Sequence, residues 1–534
     1  MSDHGAFARY TTRFPSLYPQ PSGRRQRVSL LLVGLLSMAG ICWMMTQLSA
    51  DIRDAFGGAP PFVSALLLCG ALLLALGFVF INGMHDTANA VTTVIYTGTL
   101  SPARAVLISA IANMLGVLLA SGVVAWGVMS LLPAEGMIAL DSRHGYALIY
   151  ALLLAAIVWN LASWYFAIPS SSSHALLGAM LGVGVASSLL NGQGALAGID
   201  WRQAGWAGWA LLLSPLLGFL AAALLLRLMK VLLPLSLTAS GAPAERPPLW
   251  LRGMLILTSS GVSFAHGAND GQKGMGLMMV ILLIALPGAF ALNRAMPERE
   301  LADLTLLTTQ AQAQLPQRAG LSLTSAQAIL DNSRQQQGAR DGVLPALGAM
   351  TASLHQQLSG IKRLSELPPA ETAALRLRMT LTADALQRLL AQENPLSGSQ
   401  RALLASLTAQ LKHASSVIPW WVKIVVALAL GLGTLTGWQR IAITIGERTG
   451  KAPLTPIQGA SSELVAMTTL GVAEQFGLPV STTQVLTCGV AGSMVASRSP
   501  LQPRTLKRMG LVWLLTLPVC ALLSALLYAL FIAL

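Results

Sequence analysis

The sequence predicts an all-α polytopic membrane protein, built as an inverted-topology repeat with a small helical insert outside the membrane. Three observations carry this. First, 54% of the 534 residues are hydrophobic and only 10% are charged, whereas a soluble domain carries about 25% charged residues to cover its surface. Second, several apolar stretches, among them 28–48, 61–81, 105–132 and 513–534, reach the roughly 20 residues that cross a bilayer core. Third, two polar motifs each occur twice, and the charged loops place the two copies in opposite orientations. The net charge of +13 fits Lys and Arg gathering in cytoplasmic loops, which makes nucleic acid an unneeded partner. The four cysteines, Cys42, Cys69, Cys488 and Cys520, all lie in apolar stretches without metal-ligand spacing, so they read as small buried hydrophobes.

With positive loops placed inside, each element follows in order. A basic tail containing Arg9, Arg13, Arg24, Arg25 and Arg27 stays in the cytoplasm, and the first span is uncleaved. The loop with Asp51, Arg53 and Asp54 is outside. A second stretch, from about Pro61, ends inside near Arg104, and a third leads out to Glu135, Asp141 and Arg143. Two arms over 147–190, joined by Ile168-Pro169-Ser170-Ser171-Ser172-Ser173, return the chain outside at Asp200 and Arg202. The stretch 206–229 crosses inward to Arg227, Lys230, Arg246 and Arg252.

The second half starts inside near Trp250 and leaves near Arg294. Residues 294–415 hold no spanning stretch. Leu354, Leu358, Ile361, Leu364 and Leu367 recur there at helical spacings of three and four, so this is a helical insert on the periplasmic side. The chain re-enters at the aromatic anchor Pro419-Trp420-Trp421 and reaches the inside at Arg440, Arg448 and Lys451. Two arms around Leu478-Pro479-Val480-Ser481-Thr482-Thr483 come back inside at Arg498, Arg504, Lys507 and Arg508, and a last span leaves the C-terminus outside. The expected domains are a tail and extra span (1–60), repeat 1 (61–235), a cytoplasmic linker (236–249), the start of repeat 2 (250–293), the insert (294–415) and the rest of repeat 2 (416–534).

The first duplicated motif aligns Phe80-Ile81-Asn82-Gly83-Met84-His85-Asp86 with Phe264-Ala265-His266-Gly267-Ala268-Asn269-Asp270, so Gly83 matches Gly267 and Asp86 matches Asp270. The second is the pair of Pro-Ser segments, each followed by a glycine-bearing helix: Gly178, Gly182 and Gly184 in one copy, Gly489 and Gly492 in the other. Inverted repeats of this kind characterise secondary transporters, whose sites lie near the midplane where helices are interrupted. An intramembrane carboxylate costs a few kcal/mol on insertion scales and is kept where it works. Asp86 and Asp270 would repel an anion, so their expected task is to hold a cation: a proton, sodium or a divalent metal. Hydroxyls after a helix-breaking Pro sit at a helix N-terminus, where free N–H groups and the dipole receive oxyanions. Ser171, Ser172, Ser173, Ser481, Thr482 and Thr483 therefore form the expected anion cradle. His85 and His266 can titrate near neutral pH and so could carry the coupling proton, and Glu463 and Glu474 are further cation or proton groups. Lys273 either offsets anion charge or snorkels to the interface. No nucleotide-binding Gly-x-x-x-x-Gly-Lys-Ser/Thr loop is present, which points to an ion gradient rather than ATP, with no cofactor.

The segments Asn82-Gly83-Met84-His85-Asp86-Thr87-Ala88-Asn89-Ala90 and His266-Gly267-Ala268-Asn269-Asp270-Gly271-Gln272-Lys273-Gly274, with the two Pro-Ser segments, resemble the signatures of the inorganic phosphate transporter (PiT) family. The likeness covers roughly 61–292 and 417–534 and looks closest to the bacterial low-affinity permeases. The resemblance implies phosphate as substrate, carried in bacteria often as a neutral divalent-metal complex moved with protons, and with sodium in other members. It also implies re-entrant hairpins tipped by the Pro-Ser segments, and an ion and substrate site lined by Asp86, Asn89, Asn269 and Asp270, with the hydroxyls contacting phosphate. His85 stands where the commoner family form has Asn, a substitution that also resembles the proton-linked branch. Sulfate is the alternative oxyanion, and an anchored sensing protein working through the insert is the alternative class. The expected location is the bacterial inner membrane; no dedicated metal site is expected, and a homo-oligomer is compatible with the sequence.

Overall fold

The computed structural model describes residues 23–58, 62–132, 142–192, 194, 198–232, 247–316, 318, 320–335, 342–391, 397–452 and 454–534. Arg9, Arg13, Glu135, Asp141, Arg246 and most of the 236–249 linker lie outside them. Among the described residues the secondary structure is helical, apart from one isolated bridge between Gly450 and Leu501. Seven of the described helices are long and apolar enough to cross a membrane.

The extra first span is α1 (Gly23–Phe56), and α2 (Phe62–Tyr96) carries the first Asp motif within its length. The predicted third span is in fact two pieces, α3 (Pro102–Leu119) and α4 (Val123–Met129). The break falls at Gly122, whose φ of 92° belongs to the left-handed region that glycine enters without steric cost. The arms of the first Pro-Ser segment are α5 (Ser142–Tyr165) and α6 (Ser172–Leu190), followed by α7 (Trp201–Leu232) and by α8 (Leu249–Ala285), which holds the second Asp motif. At 37 residues α8 is long enough to span, yet it is not among the seven; His266, Asp270, Gln272 and Lys273 reduce its hydropathy.

After the short α9 (Pro287–Phe290), the insert comprises α10 (Glu298–Gln314), α11 (Leu323–Gln335), α12 (Val343–Leu358), a 3-10 turn (Leu364–Glu366), α13 (Pro369–Ala391) and α14 (Gly398–Ser415). The chain then enters the core again through α15 (Trp420–Thr434) and α16 (Gln439–Arg448), with Gly437 (φ 69°) at their break. The second pair of arms is α17 (Pro456–Gln475) and α18 (Thr482–Ala496), and α19 (Pro503–Ala533) ends the chain.

Each Pro-Ser segment follows the same helix-ending turn. Ile168 N–H donates to Ser163 O at 2.9 Å and Leu478 N–H to Ala473 O at 2.8 Å, the six-to-one bond of a Schellman ending. The left-handed residue is Ala167 (φ 54°) in one turn and Gly477 (φ 66°) in the other. Between the halves, α2 packs on α15 and α8 on α3, while α6 lies along α19 and α18 along α7. Glycines set these crossings: a β-carbon at Gly83 would strike Leu430 O, at Gly433 Phe80 O, at Gly267 Asn113 O and at Gly116 Phe264 O.

Helix ends that the charge rule assigns to one side also meet in space. Tyr96 Oη donates to Glu447 at 2.7 Å, Arg252 to Thr99 O at 3.3 Å, and, at the opposite side, Arg143 to Ile532 O at 2.9 Å.

The insert has its own core, with Leu304, Leu347, Leu354, Leu386 and Leu407 fully buried. The five leucine and isoleucine positions read as one helical pattern do not share a helix. α12 ends at Leu358 before Ser359 and Gly360, Ile361 lies in the connection, and Leu364 stands in the 3-10 turn. Leu364 and Leu367 nevertheless reach the same core, so burial sustained the spacing after the helix had stopped. Arg376 ties the insert to the membrane core. It is buried, donates to Ala291 O at 2.9 Å and to Ser415 O, and lies 6.0 Å from the Trp126 ring centroid. Arg376→Ala leaves both carbonyls unpaired and is expected to cost about 2–4 kcal/mol, read as faster limited proteolysis of the insert while the spans stay protected.

Candidate functional site

The two Asp motifs lie inside long helices, not at solvated ends, because α2 continues to Tyr96 and α8 to Ala285. Asp86 and Asp270 are 3% and 2% exposed, and the helices bring them together across the repeat. His266 Nε2 lies 3.6 Å from Asp86 Oδ2 and 3.6 Å from Asp270 Oδ2. Ser172 Oγ lies 3.4 Å from Asp86 Oδ2 and 3.3 Å from Asp270 Oδ2. One donor atom each from Asp86, His266 and Asp270 falls within 4.8 Å of the others, a cluster able to hold a metal ion.

The contacts are reciprocal. Asn82 and His266 occupy the same motif position, four residues before their own Asp, and each reaches the other motif's Asp. Asn82 Nδ2 donates to Asp270 Oδ2 at 3.1 Å, and His266 faces Asp86. Asn89 Nδ2 donates to Asp86 Oδ1 at 3.1 Å and to Thr483 Oγ1 at 3.0 Å, and Thr483 itself donates to Asp86. Asn82 Oδ1, Asn89 Oδ1 and Asn269 Oδ1 are buried without a protein partner, oxygens of the kind that coordinate hard cations.

Lys273 does not snorkel. It is 1% exposed, and its ammonium lies 2.6 Å from Asp270 Oδ1, donates to Val480 O at 2.9 Å and also reaches Ser173 Oγ. Ser173 Oγ donates to the same Val480 O at 2.8 Å, so the two Pro-Ser segments meet at this ammonium.

The hydroxyls divide into two groups. Ser171 and Ser481 are helix N-caps, accepting the N–H of His174 at 3.2 Å and of Gln484 at 3.3 Å. Ser172, Ser173 and Thr483 turn to the Asp–Lys cluster, and Thr482 Oγ1 is buried with no partner. Capping consumes one first-turn N–H per helix and leaves the others of that turn free of intrahelical bonds. Asn269 turns its amide to Leu478 O at 3.1 Å.

His85 bridges outward, with Nδ1 3.4 Å from Asp86 Oδ1 and Nε2 3.5 Å from Ser170 Oγ. Glu463 is not gathered into the cluster. It is fully buried and accepts from Thr93 and, at 2.5 Å, from Thr258; Thr93 lies seven residues beyond Asp86 on α2, about 10 Å along the axis. Glu474 accepts from Ser121 Oγ at 2.6 Å and Gln272 Nε2 at 3.1 Å, away from both. Asn113 of α3 holds His266 Nδ1 at 2.8 Å through its Oδ1 and reaches Thr434 Oγ1 at 3.1 Å. Asn82 was missed from sequence, although its alignment with His266 and its four-residue spacing to Asp86 were the signal.

A family model described as the phosphate transporter family matches residues 82–524. The low-affinity inorganic phosphate transporter PitA of Escherichia coli is 36% identical over 482 residues, covering 86% of this chain and 96% of that protein. PitB of the same organism is 35% identical over 490 residues, with the same coverages. A solved chain described as the sodium-dependent phosphate transporter covers 88% of this chain and 99% of its own length at 18% identity, with a TM-score of 0.49.

Proposed function

The chain belongs to the phosphate transporter family, a family of transporters and not enzymes, and from that membership we propose that it is a secondary active symporter carrying inorganic phosphate with a cation by alternating access. One observation carries the coupling: two buried carboxylates, only one of them paired with a buried ammonium, lie in one cluster shared by both halves. With neutral histidines this cluster is one negative charge in excess, which repels an oxyanion at close range. A cation among Asp86, Asp270 and His266 removes that charge. Phosphate then meets neutral donors, Ser172, Ser173, Thr482 and Thr483, and the free N–H groups of α6 and α18. Cation binding therefore precedes and permits anion binding, and this order is what couples the two. Lys273 already answers one carboxylate, and donors without a permanent unpaired charge allow release.

The coupling ion we favour is the proton, carried by the Asp pair or His85, with phosphate arriving free or as a divalent-metal complex; sodium is the alternative. Glu463, beside the path at the inner end of α2, is a second stop for that cation. The reciprocal contacts of Asn82 and His266 support an inverted repeat; the charged loops support a cytoplasmic N-terminus and an outer C-terminus in the inner membrane, and the matched turns before the Pro-Ser segments support re-entrant hairpins.

Two equivalent closures support alternating access. The first hairpin turn meets the α15–α16 break, where Trp164 Nε1 donates to Gly437 O at 2.8 Å and Arg440 to Tyr165 O at 3.0 Å. The second meets the α3–α4 break through Ser121 and Glu474.

The test is uptake of labelled phosphate into proteoliposomes under imposed proton or sodium gradients, with and without magnesium, competed with sulfate. A proton gradient is expected to drive uptake and excess sulfate to leave it unchanged. Sulfate transported in preference to phosphate refutes the substrate, and uptake driven by sodium alone refutes the proton.

A further inference from the structure

A cavity of about 630 Å³ lies between the insert and the transport core, away from the Asp–Lys cluster. Four cationic side chains line it, Arg202 from the start of α7, Arg376 and Arg388 from α13, and Lys412 from α14, against two carboxylates, Asp200 and Asp384. Asp200 is engaged as a helix cap, accepting the N–H of Gln203 at 3.0 Å. Arg376 is engaged in holding the insert. Arg202 and Lys412 are exposed side chains on the cavity wall. The lining is therefore positive on balance, and its two accessible cations come from the core and the insert respectively.

The floor is what gives the cavity meaning. Phe476 and Gly477, at the turn of the second hairpin, form part of it. The very next residue, Leu478, offers its carbonyl to Asn269, and Val480 offers its carbonyl to Lys273. One short loop thus faces the cavity on one side and the Asp–Lys cluster on the other. By the charge rule this is the outer face.

We propose that the cavity is an antechamber that collects inorganic phosphate, as a free oxyanion, at the outer mouth of the transport path, and that the insert exists to complete it. The inference rests on the phosphate-transport reading above. A cleft lined by one sign of charge raises the local concentration of the opposite ion and its on-rate, and does so most at low ionic strength. The antechamber acts on capture and leaves the later steps alone.

The test is labelled phosphate uptake by the full chain in proteoliposomes, comparing wild type with the double variant Arg202→Gln/Lys412→Gln. At low ionic strength the apparent KM is expected to rise by roughly fivefold or more, with Vmax retained. The gap should close in high salt, and Arg202→Lys/Lys412→Arg should restore the wild-type KM. Thermal unfolding of the double variant shows that the fold is intact. A KM within about twofold of wild type at low salt, where the steering field is strongest, overturns the antechamber, as does a fall in Vmax with KM unmoved. Wild-type protein that takes up no phosphate overturns the transport reading itself, a result separable from both.

Discussion

Asp270→Asn is expected to abolish phosphate uptake and to destabilise the protein, whereas Asp86→Asn abolishes uptake with a much smaller loss of stability; both variants still insert in the membrane. The two carboxylates are equivalent by sequence and differ in their partners. Asp270 holds the ammonium of Lys273 at 2.6 Å, with both groups at most 2% exposed. Removing one partner of a buried ion pair strands the other charge and costs about 3–5 kcal/mol. Asp86 is held by Thr483, Asn89, Ser172 and the two histidines. An amide can keep some of these bonds, and the Lys273 ammonium is paired with Asp270 rather than with Asp86.

Transport fails in both because each loses a charged ligand for the cation. A charge-assisted contact is worth about 1.5–3 kcal/mol, or roughly 10- to 100-fold in occupancy. Adding Lys273→Met to Asp270→Asn should restore most of the thermal stability and none of the uptake, which separates the two roles of one carboxylate. Thermal unfolding in detergent and uptake in proteoliposomes read them independently. Near-wild-type uptake in both single variants would make the carboxylates structural, and equal stability losses would remove the Lys273 argument.

The membrane class and the duplicated motifs were both legible in the sequence, because each rests on composition or on residues that recur with fixed spacing. The site's asymmetry was not. Whether Lys273 reached an interface or a carboxylate depended on the crossing of α8 with the second hairpin, which brings Val480 and Ser173 to the same ammonium. The cap role of Ser171 and Ser481 was equally hidden, since three consecutive hydroxyls look alike until the helix start is fixed between them. Glu463 shows the opposite limit. The sequence marks it as an acid in an apolar arm, but its partners are Thr93, about two turns beyond Asp86 on α2, and Thr258, about three turns before Asp270 on α8, and no local pattern records those distances.

The glycines hold the remaining large effect. Gly83 and Gly267 are matched motif residues, and each presses on the backbone of a helix from the other half, Gly83 on Leu430 and Gly267 on Asn113. The facing helices return the contact through Gly433, against Phe80, and Gly116, against Phe264, which are again equivalent motif positions. In lipid no hydrophobic force drives helices together, and close backbone packing at small residues does that work. Gly83→Ala or Gly267→Ala must push these backbones apart, an overpacking expected to cost about 1–3 kcal/mol, and it moves Asp86 or Asp270 relative to the hairpins. Both variants should therefore lose thermal stability and most uptake. Gly77→Ala, on the same helix as Gly83 but with nothing within 4 Å of its added carbon, is expected to gain about 0.5–1 kcal/mol from helix propensity alone and to transport normally. If Gly83→Ala and Gly77→Ala unfold at the same temperature, the crossing is not what fixes the Asp pair in register.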